Sequence, residues 1–451
     1  MLNPVRVFVP LILFLVTGTS SFGYSVLSHE AMIDALWEVR LKAVLLAQFP
    51  GSTPERFKEA HSYAYGGAII QDMGYYPNAD GYFSDLTHYA RSADFIRALI
   101  SGAETLDEYA FALGALSHYA SDNNGHRLAT NVGVPLLYPK LRKKYGGVVT
   151  YDDSPSAHLR TEYAFDVAEV AEGNYAPAGY HDFIGFNVSK SLLQRAFRET
   201  YGFDLAQMFD LDLAIGSYRH TLSTLIPFFT RVAWADHKDK IQQARPGVTK
   251  KQFLYVMHRS SYEREWGTNY EEPSVLDRIV AFMVKLLPPI GRIRILKFRP
   301  LTPDVEQLFM KSFVVATQEY QGELSELNRD REGADKIQNT NLDLGTVTQP
   351  GVYKLQDETY AYWLNRLSET HFISVPPEVK RDILKYYQDP NTPIATKARP
   401  GEWQRVLKQL EQLKLANAGP EPLGDTPGSS SATVTASPSA GVSPHPHERS
   451  K

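Results

Sequence analysis

The 451-residue chain has no cysteine. That excludes disulfides, and it confines any transition-metal site to nitrogen and oxygen ligands. The chain also carries little net charge. Its 47 Lys and Arg stand against 51 Asp and Glu, and the basic residues are dispersed. This distribution argues against a dedicated duplex nucleic-acid binder. Long apolar runs are scarce as well. Val7–Val16 is apolar apart from Pro10, and it is too short to span a bilayer comfortably. Arg6 precedes it, and Ser20, Ser21 and Gly23 follow it. The pattern reads as a secretory signal, residues 1–23, with cleavage after Gly23. The mature chain would then begin at Tyr24, and the protein would be secreted or periplasmic; an uncleaved anchor is the alternative.

What is present is helical patterning. His29–Gln48, Pro54–Met73, Ser92–Ser101, Leu106–Asn123 and Ala157–Ala171 repeat apolar residues at three- and four-residue spacing. Thr53-Pro54 and Ser154-Pro155 read as helix starts. The expectation is an all-α, multi-helical domain over 24–245, with Asp210–Trp234 as a further amphipathic stretch. A mainly helical extension follows over 246–416, with short helices at Thr359–Thr370, Pro377–Gln388 and Gly401–Ala416. Glu323–Pro350 reads as a polar linker, and 417–451 as a disordered Pro/Ser-rich tail. Val275–Phe298 is apolar with Lys285, Arg292, Arg294 and Lys297 interspersed. It reads either as a peripheral membrane contact or as two core elements. Pro288-Pro289 favours the second, because it interrupts a continuous helix.

Within the first domain, histidines and carboxylates recur in order: His29, Asp72, His88, His118-x3-Asp122-x3-His126 and His158-x3-Glu162. Residues four apart on a helix share a face. Leu113, Leu116 and Ala120 make the face beside His118 and Asp122 apolar, so these polar groups need partners, and a metal would satisfy them. Asn123-Asn124-Gly125 leaves two placements for His126, on the same helix or on a following loop. Asp72 and His88 face each other if the segment between them forms a hairpin, with Asp85 a competing carboxylate. His61 reads as a supporting or surface residue. His29 is close enough in sequence to Tyr24 for a free α-amino group to share a metal with it. Tyr75, Tyr76, Tyr82, Phe83 and Tyr89 cluster around the Asp72–His88 stretch, either as packing or as a rim that meets substrate.

The order and content of these motifs resemble the zinc-dependent phospholipase C family, whose relatives include the fungal single-strand zinc nucleases. The resemblance spans about 24–240. It implies an all-helical fold holding three zinc ions in a cleft. It places Asp72, His88, His118 and Asp122 on one ion, and His126, His158 and Glu162 on a second. Tyr24, His29 and a bridging Asp122 fall on the third. Tyr24 stands where family members commonly carry Trp. Three residues separate Asp122 from His126 where the family usually has five, and Met73 replaces the aromatic of the choline-selective enzymes.

The implied activity is hydrolysis of a phosphodiester. Metal ions sharing a carboxylate polarise phosphoryl oxygens and acidify water, and Asp72 is the implied general base. A phospholipid headgroup is the first substrate expectation, and another phosphodiester falls within the same chemistry. A single-strand nuclease or 3′-nucleotidase is the second expectation, favoured by the short Tyr24–His29 interval. A metal-binding interaction protein without catalysis is the third.

Overall fold

The computed structural model describes residues 26–172, 187–218, a few positions between 234 and 250, and 301–416. Tyr24, Val275–Phe298 and the 417–451 tail lie outside the described residues. The described helices belong to one compact unit that ends at Gly419.

The order is α1 (Val26–Leu36), a π-helical turn (Trp37–Leu41), α2 (Lys42–Gln48), α3 (Pro54–Ala68), a 3-10 turn (Ile70–Tyr75), α4 (Gly81–Tyr89), α5 (Ser92–Ser101) and α6 (Leu106–Gly125). A second π-helical turn (His126–Thr130) leads into α7 (Asn131–Leu137), α8 (Pro139–Tyr145), α9 (Pro155–Glu172) and α10 (Lys190–Tyr201). Residues 211–218 are also helical. After 301 come α11 (Pro303–Leu327), a two-residue antiparallel pair β1 (Thr340–Asn341) and β2 (Thr346–Val347), then α12 (Lys354–Glu369), α13 (Pro377–Tyr386) and α14 (Pro400–Leu415). The described fold is all-α. No described helix is long and apolar enough to cross a membrane.

Helix α6 is the axis of the fold. Every residue from Tyr109 to Gly125 is buried. A helix enclosed on all sides needs neighbours on each face, and α3 and α11 supply the largest of them. The α3–α6 contact is a backbone approach. A methyl group on Gly67 would lie 1.9 Å from the Phe111 carbonyl oxygen, and one on Gly114 would lie 2.1 Å from that of Ala64. Only glycine permits this separation. Thr53 caps α3 from Oγ1 to the Arg56 amide at 3.4 Å, and Thr105 caps α6 through the Glu108 amide at 3.2 Å. Asp166 on α9 accepts from the amides of Leu27 and Ser28 at 3.2 and 3.1 Å, which ties the start of α1 to α9.

Residues 301–416 pack directly on these helices. Tyr320 Oη donates to the Leu113 carbonyl at 2.9 Å, and Trp363 Nε1 donates to that of Tyr201 at 2.8 Å. The expected linker Glu323–Pro350 needs correcting. Its first residues finish α11, Arg331–Lys336 form a 3-10 turn, and Thr340–Val347 form a tight hairpin whose β1 residues are buried. The hairpin satisfies its polar groups against α5 and α6. Thr340 exchanges hydrogen bonds with Ser92 through its amide (3.0 Å) and its carbonyl (2.7 Å). Thr340 Oγ1 also donates to Asn123 Oδ1 at 2.9 Å. A polar segment can be buried when every such group finds a partner.

Candidate metal centre

Three pieces of chain converge on α6. Asp72 sits on the 3-10 turn after α3, His88 in the last turn of α4, and His29 in α1. The close α3–α6 crossing brings the Ala68 carbonyl to 2.9 Å from His118 Nδ1. The Ser84 carbonyl holds His88 Nδ1 at 2.7 Å. Both rings therefore turn Nε2 inward, and backbone carbonyls fix their orientation in the manner of ligating imidazoles.

Asp122 is the hub. Its Oδ2 lies 3.2 Å from His88 Nε2, 3.1 Å from His118 Nε2 and 3.8 Å from His126 Nε2, and its Oδ1 lies 3.5 Å from His29 Nε2. His88 Nε2 also approaches Asp72 Oδ1 at 3.5 Å. The helix does not end at Asn123-Asn124-Gly125. It continues into the π-helical turn that begins at His126, so the shortened Asp122–His126 step keeps His126 on the Asp122 face. On α9, His158 Nε2 is 2.6 Å from Glu162 Oε1, which in turn lies 3.7 Å from His126 Nε2.

Ligand atoms fall within 4.8 Å of one another in three groups: His29, His118 and Asp122; Asp72, His88 and His118; and His126, His158 and Asp343. Asp343 was not anticipated. It comes from the hairpin in the segment read as a linker, 192 positions from its hydrogen-bonding partner Tyr151. Its only sequence signal is weak, an Asp between two leucines in Asn341-Leu342-Asp343-Leu344-Gly345. Asp85 joins none of these groups, and burial, with Asp80 and Glu358 nearby, pushes its carboxyl up to about 8. His61 bonds Asp34 Oδ1 at 3.1 Å and stacks on Trp37. Of the aromatic cluster, Tyr75, Tyr76, Phe83 and Tyr89 are buried packing, while Tyr82 is exposed and stacks on Tyr362 of α12. Tyr24 lies outside the described residues, so the N-terminal contribution has no counterpart in this geometry.

Burial and the neighbouring charges separate the imidazoles into two kinds. Burial drives the His29 imidazolium well down, and His118, stacked on it at 4.2 Å, adds repulsion. Burial takes His158 down to about 3. Both rings are thus neutral, with a lone pair to offer. Burial also opposes charge on His118, but the Asp122 and Asp72 carboxylates outweigh it and raise it to about 9. Burial likewise works against ionised Asp122, yet His118 and His126 hold its carboxyl well below the usual range. Burial pushes Asp72 up to about 8, a rise that His118 opposes and Asp122 reinforces.

These residues are almost wholly inaccessible: His29, His118, Asp122, His158, Glu162 and Asp343 are all 0% exposed. Asp72 Oδ1, Asp343 Oδ1, both ring nitrogens of His158 and both oxygens of Glu162 are buried without a hydrogen bond. So many unsatisfied polar atoms, with carboxylates crowded together, would cost several kcal/mol each in the interior. A divalent cation removes that cost. The donor set, imidazole and carboxylate without thiolate, fits zinc.

A family model described as zinc dependent phospholipase C matches residues 28–207. No curated protein and no solved structure matches the chain. The matched segment runs from α1 past α10 and holds every member of the three groups except Asp343. Over residues 28–207 the chain is therefore similar to the zinc-dependent phospholipase C family.

Proposed function

We propose that the protein is a secreted or periplasmic zinc-dependent phosphodiester hydrolase that cleaves glycerophospholipid headgroups. The observation that carries this reading is the shared use of His118 and Asp122. His118 belongs to two ligand groups, and Asp122 reaches His29 with one oxygen and His88, His118 and His126 with the other. A carboxylate placed this way could serve more than one cation, and such ions would favour attack on phosphorus by polarising its oxygens. When bound, the zinc ions would supply Lewis acidity to the phosphoryl oxygens and to the attacking water.

The chain's own groups supply the rest. Asp72 Oδ1 faces the cluster without a hydrogen bond, 3.5 Å from His88 Nε2. It is the group placed to accept the proton of the attacking water, because a general base must lie within reach of the proton it takes. The Ala68 and Ser84 carbonyls keep His118 and His88 from rotating as charge develops. The surrounding helices exclude bulk water, which strengthens each electrostatic contact.

The short Tyr24–His29 interval supports a second reading, a single-strand nuclease or 3′-nucleotidase. One assay separates the two. The chain starting at Tyr24 is loaded with zinc and offered phosphatidylcholine and phosphatidylethanolamine vesicles, single-stranded DNA and a 3′-nucleotide. Release of phosphocholine or phosphoethanolamine is the expected result. Nucleotide release without headgroup release replaces the first reading with the second. A zinc-loaded chain inert on every substrate overturns both.

A further inference from the structure

We infer that Asp343 is a metal ligand that shares one ion with His126 and His158. The inference rests on the zinc-hydrolase reading for the identity of the ion, and on the hairpin's geometry for everything else. Asp343 Oδ1 faces His126 Nδ1 at 3.3 Å and His158 Nε2 at 3.9 Å. It is buried and makes no hydrogen bond.

Every other polar atom of Asp343 is committed. Its Oδ2 accepts from Tyr353 Oη at 2.7 Å and from the Tyr151 amide at 3.1 Å. Its carbonyl accepts from Asn131 Nδ2 at 2.7 Å, and its amide donates to Asn341 Oδ1 at 3.1 Å. One residue earlier, the Leu342 amide donates to the carbonyl of His88, itself in a ligand group. Gly345 closes the turn at φ +62, so near α6 that a methyl group there would lie 2.3 Å from the Asn123 carbonyl oxygen. The hairpin thus delivers one carboxylate oxygen to the two imidazoles and locks it there. Carboxylates anchored through one oxygen and presented through the other are typical of ligands with a supporting shell.

The chemistry follows from the ligand count. Zinc that exchanges water with substrate keeps a position open, whereas zinc with four protein ligands is generally structural. Two imidazoles and Asp343 fill three positions, which leaves the fourth open. Because Asp343 comes from the 301–416 segment, the ion would also hold that segment against the His126 turn and α9.

The test uses the full-length protein with Asp343→Asn, a near-isosteric change, and Tyr353→Phe, which leaves Asp343 in place but removes an anchor. Bound zinc is counted by elemental analysis after dialysis against a graded chelator. Cobalt(II) replaces zinc for a visible absorption spectrum. Asp343→Asn is expected to lose one equivalent of zinc and the corresponding part of the cobalt spectrum. Tyr353→Phe is expected to keep that equivalent with affinity weakened about 10- to 100-fold. Unchanged zinc count, chelator resistance and cobalt spectrum in Asp343→Asn would overturn the inference and leave Asp343 as an ion-pair partner of His126. If Asp343→Asn does not fold, Tyr353→Phe decides alone, and undiminished affinity there is the contrary result. The two proposals fail separately. A wild-type chain that binds zinc but hydrolyses nothing removes the hydrolase reading only. An active, zinc-loaded Asp343→Asn with a full complement of metal removes this one only.

Discussion

The ligands before residue 163 and the ligand at residue 343 reach the same cluster by different routes. His118, Asp122 and His126 are set by one helix and its π-helical continuation, and His158 and Glu162 by another. Their spacing is local, and helix geometry alone puts them in line. Asp343 has no helix beneath it. A two-residue strand pair, a positive-φ glycine and hydrogen bonds to α5, α6 and Tyr353 carry it. The first route is robust because each backbone group is paired within the helix. The second depends on many separate partners, each worth on the order of 1 kcal/mol.

This difference can be broken at its common point or at either side. The largest effect is expected from Asp122→Ala, which removes the carboxylate shared by both ends of the cluster. Zinc content should fall by more than one equivalent and hydrolysis should drop below detection, as read by elemental analysis and headgroup release. If Asp122→Ala retains full zinc, Asp122 is not the hub. Next comes Gly114→Ala, which forces a methyl group against the Ala64 carbonyl. Separating α3 from α6 should cost roughly 3 kcal/mol in denaturant unfolding and weaken every ion, since Ala68 then loses His118. Gly345→Ala is its counterpart on the hairpin, combining a positive φ with the clash at Asn123. A smaller loss, roughly 2 kcal/mol, is expected, with one zinc equivalent weakened and the others kept. Equal effects of the two glycine changes on all ions would erase the distinction.

The smallest effect concerns Glu30, next to His29. Both its oxygens are buried without hydrogen bonds. Burial, with Asp34 and Asp166 nearby, raises its carboxyl well above the ordinary value. The folded state therefore keeps a proton that the unfolded chain releases above about pH 4.5. Stability attributable to this group is fully present below that value and is lost as pH rises toward the folded-state pKa. Glu30→Gln should abolish that decline and stabilise the protein by on the order of 1 kcal/mol at pH 8. Thermal unfolding of both proteins from pH 5 to pH 8 checks this, and parallel curves would show that Glu30 does not titrate in the window.

The helices around the cluster were legible because their apolar periodicity is long and regular. Leu106–Asn123 corresponds to α6, whose span is Leu106–Gly125, and Ser92–Ser101 to α5. The expected helix Thr359–Thr370 starts five residues earlier, at Lys354, where the opening turn carries a single apolar residue, Leu355. Glu323–Pro350 was misread for a similar reason. Its polarity suits solvent, yet Thr340, Asn341 and Asp343 are buried because Ser92, Gln356 and Asn131 bond them from other helices.

By itself the sequence determined the all-α character, the nitrogen and oxygen donor set, and the ordered His and carboxylate residues spaced for one helix face. Helical spacing is a local property, so i, i+4 placement is settled before any tertiary contact forms. Only the tertiary structure decided that Asp122 faces four imidazoles at once, that His126 stays on the helical path, and that Asp343 comes to the same cluster. Those facts depend on how closely α3 approaches α6 and where a hairpin of the 301–416 segment lodges. Both are set by glycine backbone contacts and buried hydrogen bonds between residues far apart in the chain.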